Sequence, residues 1–549
     1  MLTLDKLSDE LLEEIFELIH TSSQHTIFAL ILVSKAISEV ALPFAYRELT
    51  FNLGTSGYDI LDSLLELDDN SVVWKGVRKV TVKSGWVRWE NLESSHHPQS
   101  QQADDGNPSR FIPSEKSVEK RWGPFIEFIS RVLNVRDLEF DCGEQVPIVL
   151  LRALEDKHPS CRLHVKSWTR LCDDMPLNDP YEKALARSAL LASIDAVNWD
   201  SRELYQAAFN RIIASAPRLN TITYYEEFSM QCTDPEVSPQ ELSEVQREKE
   251  RLRRVAPKKR AGLRNLQWTG LDLSVLKHME TMFDLQDIHS LDALDVIDRH
   301  WLEYAESNGI LSRLRHFKIT INRTNDDDGS FKASLDVFLS SGRPLESLSI
   351  HHYHDNVDFP SALYYHGDTL RSLSLGEPET GYGRRRPVLS QVDMDFIRFR
   401  APHLESLQID INRTINPNES EAAIYKIISS FPNLRTLTIY YDLGLHHRYY
   451  HGYWFERQRV DEQEELERFL TTYSRVDHQH ARSVWEAVAG KRLESLVLYI
   501  GDPDRKLGYP EDWHYEELRR QQVVHIRRNE RDDLKDDISA LKIDIKNSG

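Results

Sequence analysis

The chain is poor in cysteine, and its four thiols, Cys142, Cys161, Cys172 and Cys232, form no CxxC pair. Such scattered positions exclude a disulfide framework and a cysteine-ligated zinc module, and the thiols read as reduced and mostly buried. No apolar run approaches the ~18 residues a membrane-spanning helix needs. The first residues, MLTLDKLSDELLEEIFELIH, carry acids where a secretory leader carries bases. The expected location is inside the cell, cytoplasmic and/or nuclear, with no membrane as partner. Basic residues are also short: 68 Lys and Arg against 88 Asp and Glu leave a net charge of −20, which repels a phosphate backbone and excludes nucleic acid as the expected partner. No Gly-rich phosphate loop, HExxH, GxSxG or Cys-His arrangement occurs, so neither catalysis nor a cofactor is expected. One cluster has metal-ligand residue types, His351-His352-Tyr353-His354-Asp355. At a strand end, alternation sends His352 and His354 to one face and His351 to the other, so three ligands do not converge and no metal is expected.

What the chain has is a repeated phrase: LRHFKI from Leu314, LESLSI from Leu345, LRSLSL from Leu370, LESLQI from Leu404 and LRTLTI from Leu434. The start-to-start spacings of these five leucines, 31, 25, 34 and 30 residues, fall in or a little above the ~20–29-residue period of leucine-rich repeats. In each copy the first, fourth and sixth positions are apolar. The fourth and sixth share one face of a short strand, the period of two that a half-buried strand requires. Helical patterns lie between copies, over Ser334–Leu339, Asp393–Phe399 and Glu421–Ser429. One strand plus one helix cannot bury its apolar face alone, so the expected fold class is α/β, a stacked βα solenoid with a curved parallel sheet and helices outside. Its length of 549 residues exceeds what one compact core supports.

At the N-terminus, Leu4, Leu7, Leu11, Leu12, Ile15, Phe16, Leu18 and Ile19 recur at helical spacing, with Ser8-Asp9-Glu10 as the helix start. A second apolar segment, Ile27–Val33, leads through Ser34-Lys35 into a third helix, Ala36–Leu42, stopped by Pro43. Read from the residues alone, three short helices cap a solenoid.

The order LSDELLEEIFELI over Leu7–Ile19, followed by ALILVSKAISEVALPFAYREL over Ala29–Leu49, resembles an F-box, with the VSK and AxPxxYR segments of fungal members. Ser8 stands where most F-boxes carry Pro. The resemblance covers residues ~2–51 and implies a helical module over 1–52 followed by a leucine-rich-repeat-like array over 53–549. It implies that Leu7, Leu11, Ile15, Val33, Pro43 and Tyr46 are divided between a Skp-family adaptor and the module's own core. The chain would then be a non-catalytic substrate-recognition subunit of an SCF-type cullin-RING ubiquitin ligase, holding a protein substrate on its repeats. A free-standing repeat scaffold, whose N-terminal helices only cap, is the other reading.

Further along, a helix is expected near Ile60–Leu67 and strands at Val77–Val82, Val135–Phe140, Arg162–Val165, Leu219–Tyr224, Leu263–Trp268 and Leu493–Leu498. Helices are expected at Pro124–Leu133, Ile148–Asp156, Tyr181–Ala192, Leu204–Ala214, across Leu273–Asn308 and at Ala481–Ala489. The stretch from about 91 to 117 is nearly free of apolar residues and reads as a disordered insertion. Ser238–Lys259 reads as a solvated helix or loose arm, Glu511–Asp533 as a charged helical tail, and Ile538–Ile545 as a last strand or a disordered end. The insertion HHRYYHGYWFERQR concentrates aromatics and arginines, the residue types that dominate binding hot spots. Tyr450, Trp454 and Arg457 are its candidate substrate anchors. Residues just past the strands, His351–Asp355 and Arg384–Arg386, are expected on the same rim, and Lys318, Ser349, Ser374, Gln408 and Thr438 on the sheet face without helices.

Overall fold

Parallel strands cannot be joined by a tight turn, so a chain that repeats a strand pattern must return through crossovers. In the computed structural model those crossovers are mostly helices. It describes residues 7–22, 24–53, 57–84, 115–170, 177, 179–198, 203–226, 243, 245–248, 250–251, 262–296, 298–321, 329–377, 386–412, 419–441, 476–490, 492–500, 521–527 and 542–548. The chain forms two compact units, Met1–Trp268 with Glu280–Asp284, and Thr269–Met279 with Leu285–Gly549.

The first unit begins with helices Asp9–Ser22, Gln24–Ile31 and Lys35–Ala45, around a core of Leu12, Phe16, Ile27, Ile37, Ala41 and Phe44. Ser34 caps the third helix by accepting from the Ile37 N–H at 3.3 Å. Pro43 does not stop that helix but sits inside it. A proline so near the C-terminal end removes a single ladder bond, and Phe44 beyond it is buried in the module's core. The module is joined to the sheet without a linker. β1 (Glu48–Asn52) pairs in parallel with β2 (Lys79–Ser84), and the Arg47 carbonyl accepts the N–H groups of Arg78 and Lys79. Gly76 lies so close to the third helix that an added Cβ would meet the Pro43 carbonyl oxygen at 2.5 Å.

The strand order continues through β3 (Asp137–Cys142), β4 (Arg162–Trp168), β5 (Leu191–Asn198), β6 (Thr221–Glu226) and β7 (Asn265–Thr269), each parallel to its predecessor. Phe51, Trp74, Trp122, Phe125, Phe128 and Phe140 fill the interior near the first three strands. Cys142 and Cys161 are buried free thiols, and burial pushes the Cys161 thiol up to about 12.

In the second unit, β8 (Ser290–Val296), β9 (His316–Ile321), β10 (Ser347–His351), β11 (Ser372–Gly376), β12 (Ser406–Ile411), β13 (Thr436–Tyr441) and β14 (Ser495–Ile500) are parallel and in chain order. β15 (Gln521–Arg527) and β16 (Lys542–Ser548) follow in antiparallel pairing. The phrase fixes the register. Its fourth positions, Phe317, Leu348, Leu373, Leu407, Leu437 and Leu496, are direct cross-strand partners in one row. The sixth positions, Ile319, Ile350, Leu375, Ile409, Ile439 and Leu498, are no more than 1% exposed. Helices His300–Ser307, Ser330–Ser341, Phe359–His366, Gln391–Arg400, Glu419–Ser429 and His478–Val488 alternate with these strands. Thus each unit is α/β with parallel strands alternating with helices, an order consistent with a solenoid.

The second position of the phrase alternates in sign from strand to strand: Arg315, Glu346, Arg371, Glu405, Arg435, Glu494. From Glu346 on, each of these residues donates its N–H to the carbonyl of the one before it, and Arg315 donates to the His289 carbonyl. Side-chain pairs link Arg315 to Glu346 at 3.2 Å, Arg371 to Glu405, and Arg435 to Glu494 at 3.8 Å.

Several expectations fail here. β1 falls within the stretch read as helical, and β5 and β8 lie in or beside segments read as helix. LASIDAVN and SLDALDV hold alanine, leucine and aspartate, residues without strand preference, and the neighbouring strands decide their state. β15 runs through the stretch read as a charged helical tail, with Val524 and Ile526 buried. Helix Glu115–Arg131 starts earlier than expected and carries Pro124 inside it. The charged arm is not loose: Val245 and Glu248 are buried, and Glu248 accepts from Arg211 Nε at 2.9 Å.

His366 supplies a pH dependence. It is 1% exposed, its Nδ1 accepts the Leu345 N–H at 3.1 Å, and burial lowers its pKa to about 4. The folded state therefore holds it neutral, while the unfolded chain takes up the proton near its ordinary value of ~6.5. Its contribution to stability is complete above that value and is lost as pH falls towards 4. The charged groups facing His366 are Glu306 and Arg343, which line a cavity with it. Unfolding midpoints at pH 7 and pH 4 should differ by about 3 kcal/mol more for the native chain than for a His366→Asn variant. Equal pH responses would refute the assignment.

Candidate functional surfaces

Two surfaces stand out. On the N-terminal module, side chains that do not enter the core remain in solvent: Leu11, Leu18, Phe28, Leu32 and Val33, with Leu32 85% exposed. Amphipathic helices in a folded module normally present polar residues outward, so five exposed large apolar groups on one small module make it a candidate interaction surface. Of the residues expected to bind an adaptor, Leu11 and Val33 lie exposed, whereas Leu7 and Ile15 pack partly buried against the core. Pro43 and Tyr46 are half-buried at the end of the third helix. The sequence pattern placed Leu18 in the apolar periodicity of the first helix and Phe28 and Leu32 in the second apolar segment, without naming them as adaptor contacts. Their signal was hydrophobic residues off the core stripe of their helices.

The second surface is the rim at the C-terminal ends of β10, β11 and β12. Beyond β10, His352 (φ 65°) and Asp355 (φ 66°) adopt left-handed backbone conformations. The first breaks the alternation expected for the histidine run. Tyr353 turns inward and is buried. Burial and the carboxylates of Asp410, Glu377 and Asp393 hold its phenol well above the ordinary range. The exposed His354 donates its N–H to Glu377 Oε1 at 2.6 Å.

Glu377, directly after β11, is fully buried, and so is Arg386, where the chain returns towards helix Gln391–Arg400. Arg386 Nη1 donates to the Glu377 carbonyl at 3.0 Å and to Asp410 Oδ1 at 2.8 Å. The other Asp410 oxygen accepts the Glu377 N–H, and Asn412 Nδ2 donates to the Arg386 carbonyl at 3.0 Å. Helix Gln391–Arg400 then opens with a capping box between Ser390 and Asp393. The rim is thus a charged network built under the surface, able to hold loops in a fixed arrangement.

The structure brings together two stretches expected on the rim, His351–Asp355 and Arg386. Arg384, Arg385 and the aromatic-arginine insertion with Tyr450, Trp454 and Arg457 lie outside the described residues. Sequence reasoning missed Glu377 and Asp410. Next to the rim, Lys318, Ser349, Ser374, Gln408 and Thr438 form one cross-strand row, all half-buried on the face opposite the leucines. Tyr440 and Tyr499 extend that face as a stacked pair 4.6 Å apart. Among the described residues no group of His, Cys, Asp and Glu is arranged to hold a metal ion, and no helix is long and apolar enough to cross a membrane. No family model and no curated protein matches the chain.

Proposed function

We propose that the chain is the substrate-recognition subunit of an SCF-type cullin-RING ubiquitin ligase, an F-box protein whose N-terminal helices dock a Skp-family adaptor and whose leucine-rich-repeat-like strands hold a protein substrate. The observation that carries this reading is the exposed apolar face of Leu11, Leu18, Phe28, Leu32 and Val33, on a module whose sequence resembles an F-box. A segment that only caps a repeat array needs a polar outer face, whereas this one exposes five large apolar side chains among its acidic residues Glu13, Glu14 and Glu17. In this role the chain needs no nucleophile or general base, since it acts by proximity. Because β1 continues from the third helix into the first unit's sheet, the adaptor-docking helices would be joined to that unit's strands without an intervening flexible linker. The substrate would lie on the polar sheet face and the rim, with Tyr450, Trp454 and Arg457 as proposed anchors.

The test uses the whole chain co-expressed with a Skp-family adaptor. Leu32→Asp with Val33→Asp alters two solvent-exposed positions, so folding should be kept while adaptor recovery falls by at least about a hundredfold, because a charge in an apolar interface costs several kcal/mol. Undiminished recovery would favour the scaffold reading.

A further inference from the structure

Before strands β9 to β14 of the second unit, the preceding residue alternates in sign. At the same place in the first unit, the three successive strands β1, β2 and β3 are preceded by Arg47, Arg78 and Arg136. Backbone bonds hold these arginines in a row: the Arg78 N–H donates to the Arg47 carbonyl at 2.8 Å, and the Arg136 N–H to the Arg78 carbonyl at 2.7 Å. Like charges directly opposite on neighbouring strands repel. Burial first, and then the charges of Arg136 and Arg47, lower the pKa of Arg78, with Glu17 opposing the shift. Two of the three guanidiniums are fixed in place. Arg47 lies 5.2 Å over the Phe44 ring and forms a two-pronged pair with Glu17, its Nη2 donating to Oε1 at 2.8 Å. Arg78 Nη1 donates to the Lys75 and Val77 carbonyls at 2.9 and 3.2 Å, which leaves its Nε and Nη2 donors unused among the described residues. The exposed Arg136 guanidinium has no hydrogen-bond or ion-pair partner among the described residues. Neighbouring acids are committed elsewhere: Asp137 to Arg162 at 2.7 Å and His164 at 3.1 Å, Glu48 to His20 at 3.5 Å and Lys79 at 4.0 Å. Three arginines against the one glutamate therefore leave two positive charges unanswered, on a chain whose net charge is −20.

We propose that Arg78 and Arg136, backed by Arg47, are a binding site for a phosphate dianion, either the phosphoryl group of a modified side chain or a small soluble phosphate. A phosphoryl group carries about −1.5 to −2 charge at neutral pH and three strong acceptor oxygens, matching the two unanswered charges and the unused donors. The planar fork of arginine suits such oxygens, since two parallel N–H groups can be accepted at once. Because Arg47 and Arg78 are anchored before a ligand arrives, only Arg136 has to be ordered on binding. The acidity of the rest of the chain favours a compact dianion over a long polyanion, which would meet repulsion beyond the row. The site uses none of the exposed apolar side chains of the N-terminal module and does not depend on the ubiquitin-ligase reading.

The experiment is a titration of the full-length chain, nitrogen-labelled at arginine, with inorganic phosphate, the ionic strength being held constant with sodium chloride because exposed charges are screened by salt. The Nε–H resonances of Arg78 and Arg136 should shift saturably in the millimolar range, while that of Arg264 stays still. Arg264 also precedes a strand of the first unit, but its N–H donates to the carbonyl of the uncharged Asn220. Arg136→Gln should weaken phosphate binding at least about fivefold, and Arg264→Gln should leave it unchanged. Both positions are exposed, so both variants are expected to fold, and unfolding midpoints equal to that of the native chain check this. N-acetyl-O-phosphoserine amide distinguishes the sources: tighter binding than inorganic phosphate assigns the dianion to a modified side chain, and binding no tighter assigns it to a small soluble phosphate. Absence of saturable shifts overturns the proposal. Equal losses from Arg136→Gln and Arg264→Gln also overturn it, reducing the effect to bulk charge, and so does undiminished binding by Arg136→Gln.

Discussion

Replacing Arg386 by leucine is expected to destabilise the second unit by about 3–5 kcal/mol, the usual loss when one partner of a buried ion pair is removed. Its guanidinium and the Asp410 carboxylate are at most 1% exposed, 2.8 Å apart. Without Arg386, Asp410 keeps the Glu377 N–H but loses its counter-charge, and the Glu377 carbonyl loses a donor. Leucine fills part of the volume and answers neither need. Adding Asp410→Leu should recover much of the loss, because apolar replacement of a whole buried pair is often neutral. Denaturant midpoints of the native chain and both variants measure this. If Arg386→Leu changes stability by less than about 0.5 kcal/mol, as a surface substitution would, the network is not a structural element of the rim.

A comparable loss, about 3–5 kcal/mol, is expected for Phe51→Ala in the first unit. Phe51 lies on β1, is 1% exposed, and meets Phe125 and Phe128 with ring centroids 5.7 and 4.9 Å apart. Those rings lie within a close-packed aromatic group that includes Trp74 and Trp122, which cannot collapse into the space a benzyl group leaves. The effect should be largest at β1. Amide exchange at Leu53, whose N–H bonds the Lys83 carbonyl at 2.7 Å, should accelerate more than exchange at β6. Uniform acceleration across the unit would show that β1 opens only with everything else.

The repeat strands were legible because their pattern is local: Leu at the first position, apolar residues at the fourth and sixth, and polar residues between them determine both face and register. β5 and β8 were hidden because Ala, Asp and Leu favour no extended state by themselves. The rim was half legible. His351–Asp355 and Arg386 follow from asking what lies past the strand ends. Asp410 does not, because period two places it beside Gln408 on the polar face, and it is buried only where the Arg386 segment crosses it. On the N-terminal module, the family resemblance drew attention to Leu7, Leu11, Ile15, Val33, Pro43 and Tyr46, of which Leu11 and Val33 are exposed, while Leu18, Phe28 and Leu32 are exposed beside them.

The alternating Arg315, Glu346, Arg371, Glu405, Arg435 and Glu494 also bear on how the chain avoids assembling wrongly. Near-identical phrases such as LESLSI and LESLQI can exchange places, and a repeat looped out during folding would pair a strand with its second neighbour. The leucine rows would accept that error, since every strand presents the same apolar positions. The charges would not: omitting one repeat sets Arg315 beside Arg371, or Glu346 beside Glu405, and turns a cross-strand attraction into a repulsion. Each contact contributes little on its own, being near the surface. As a parity check repeated over six strands, it penalises skipped copies while leaving correct order favoured, a safeguard an array of interchangeable units requires.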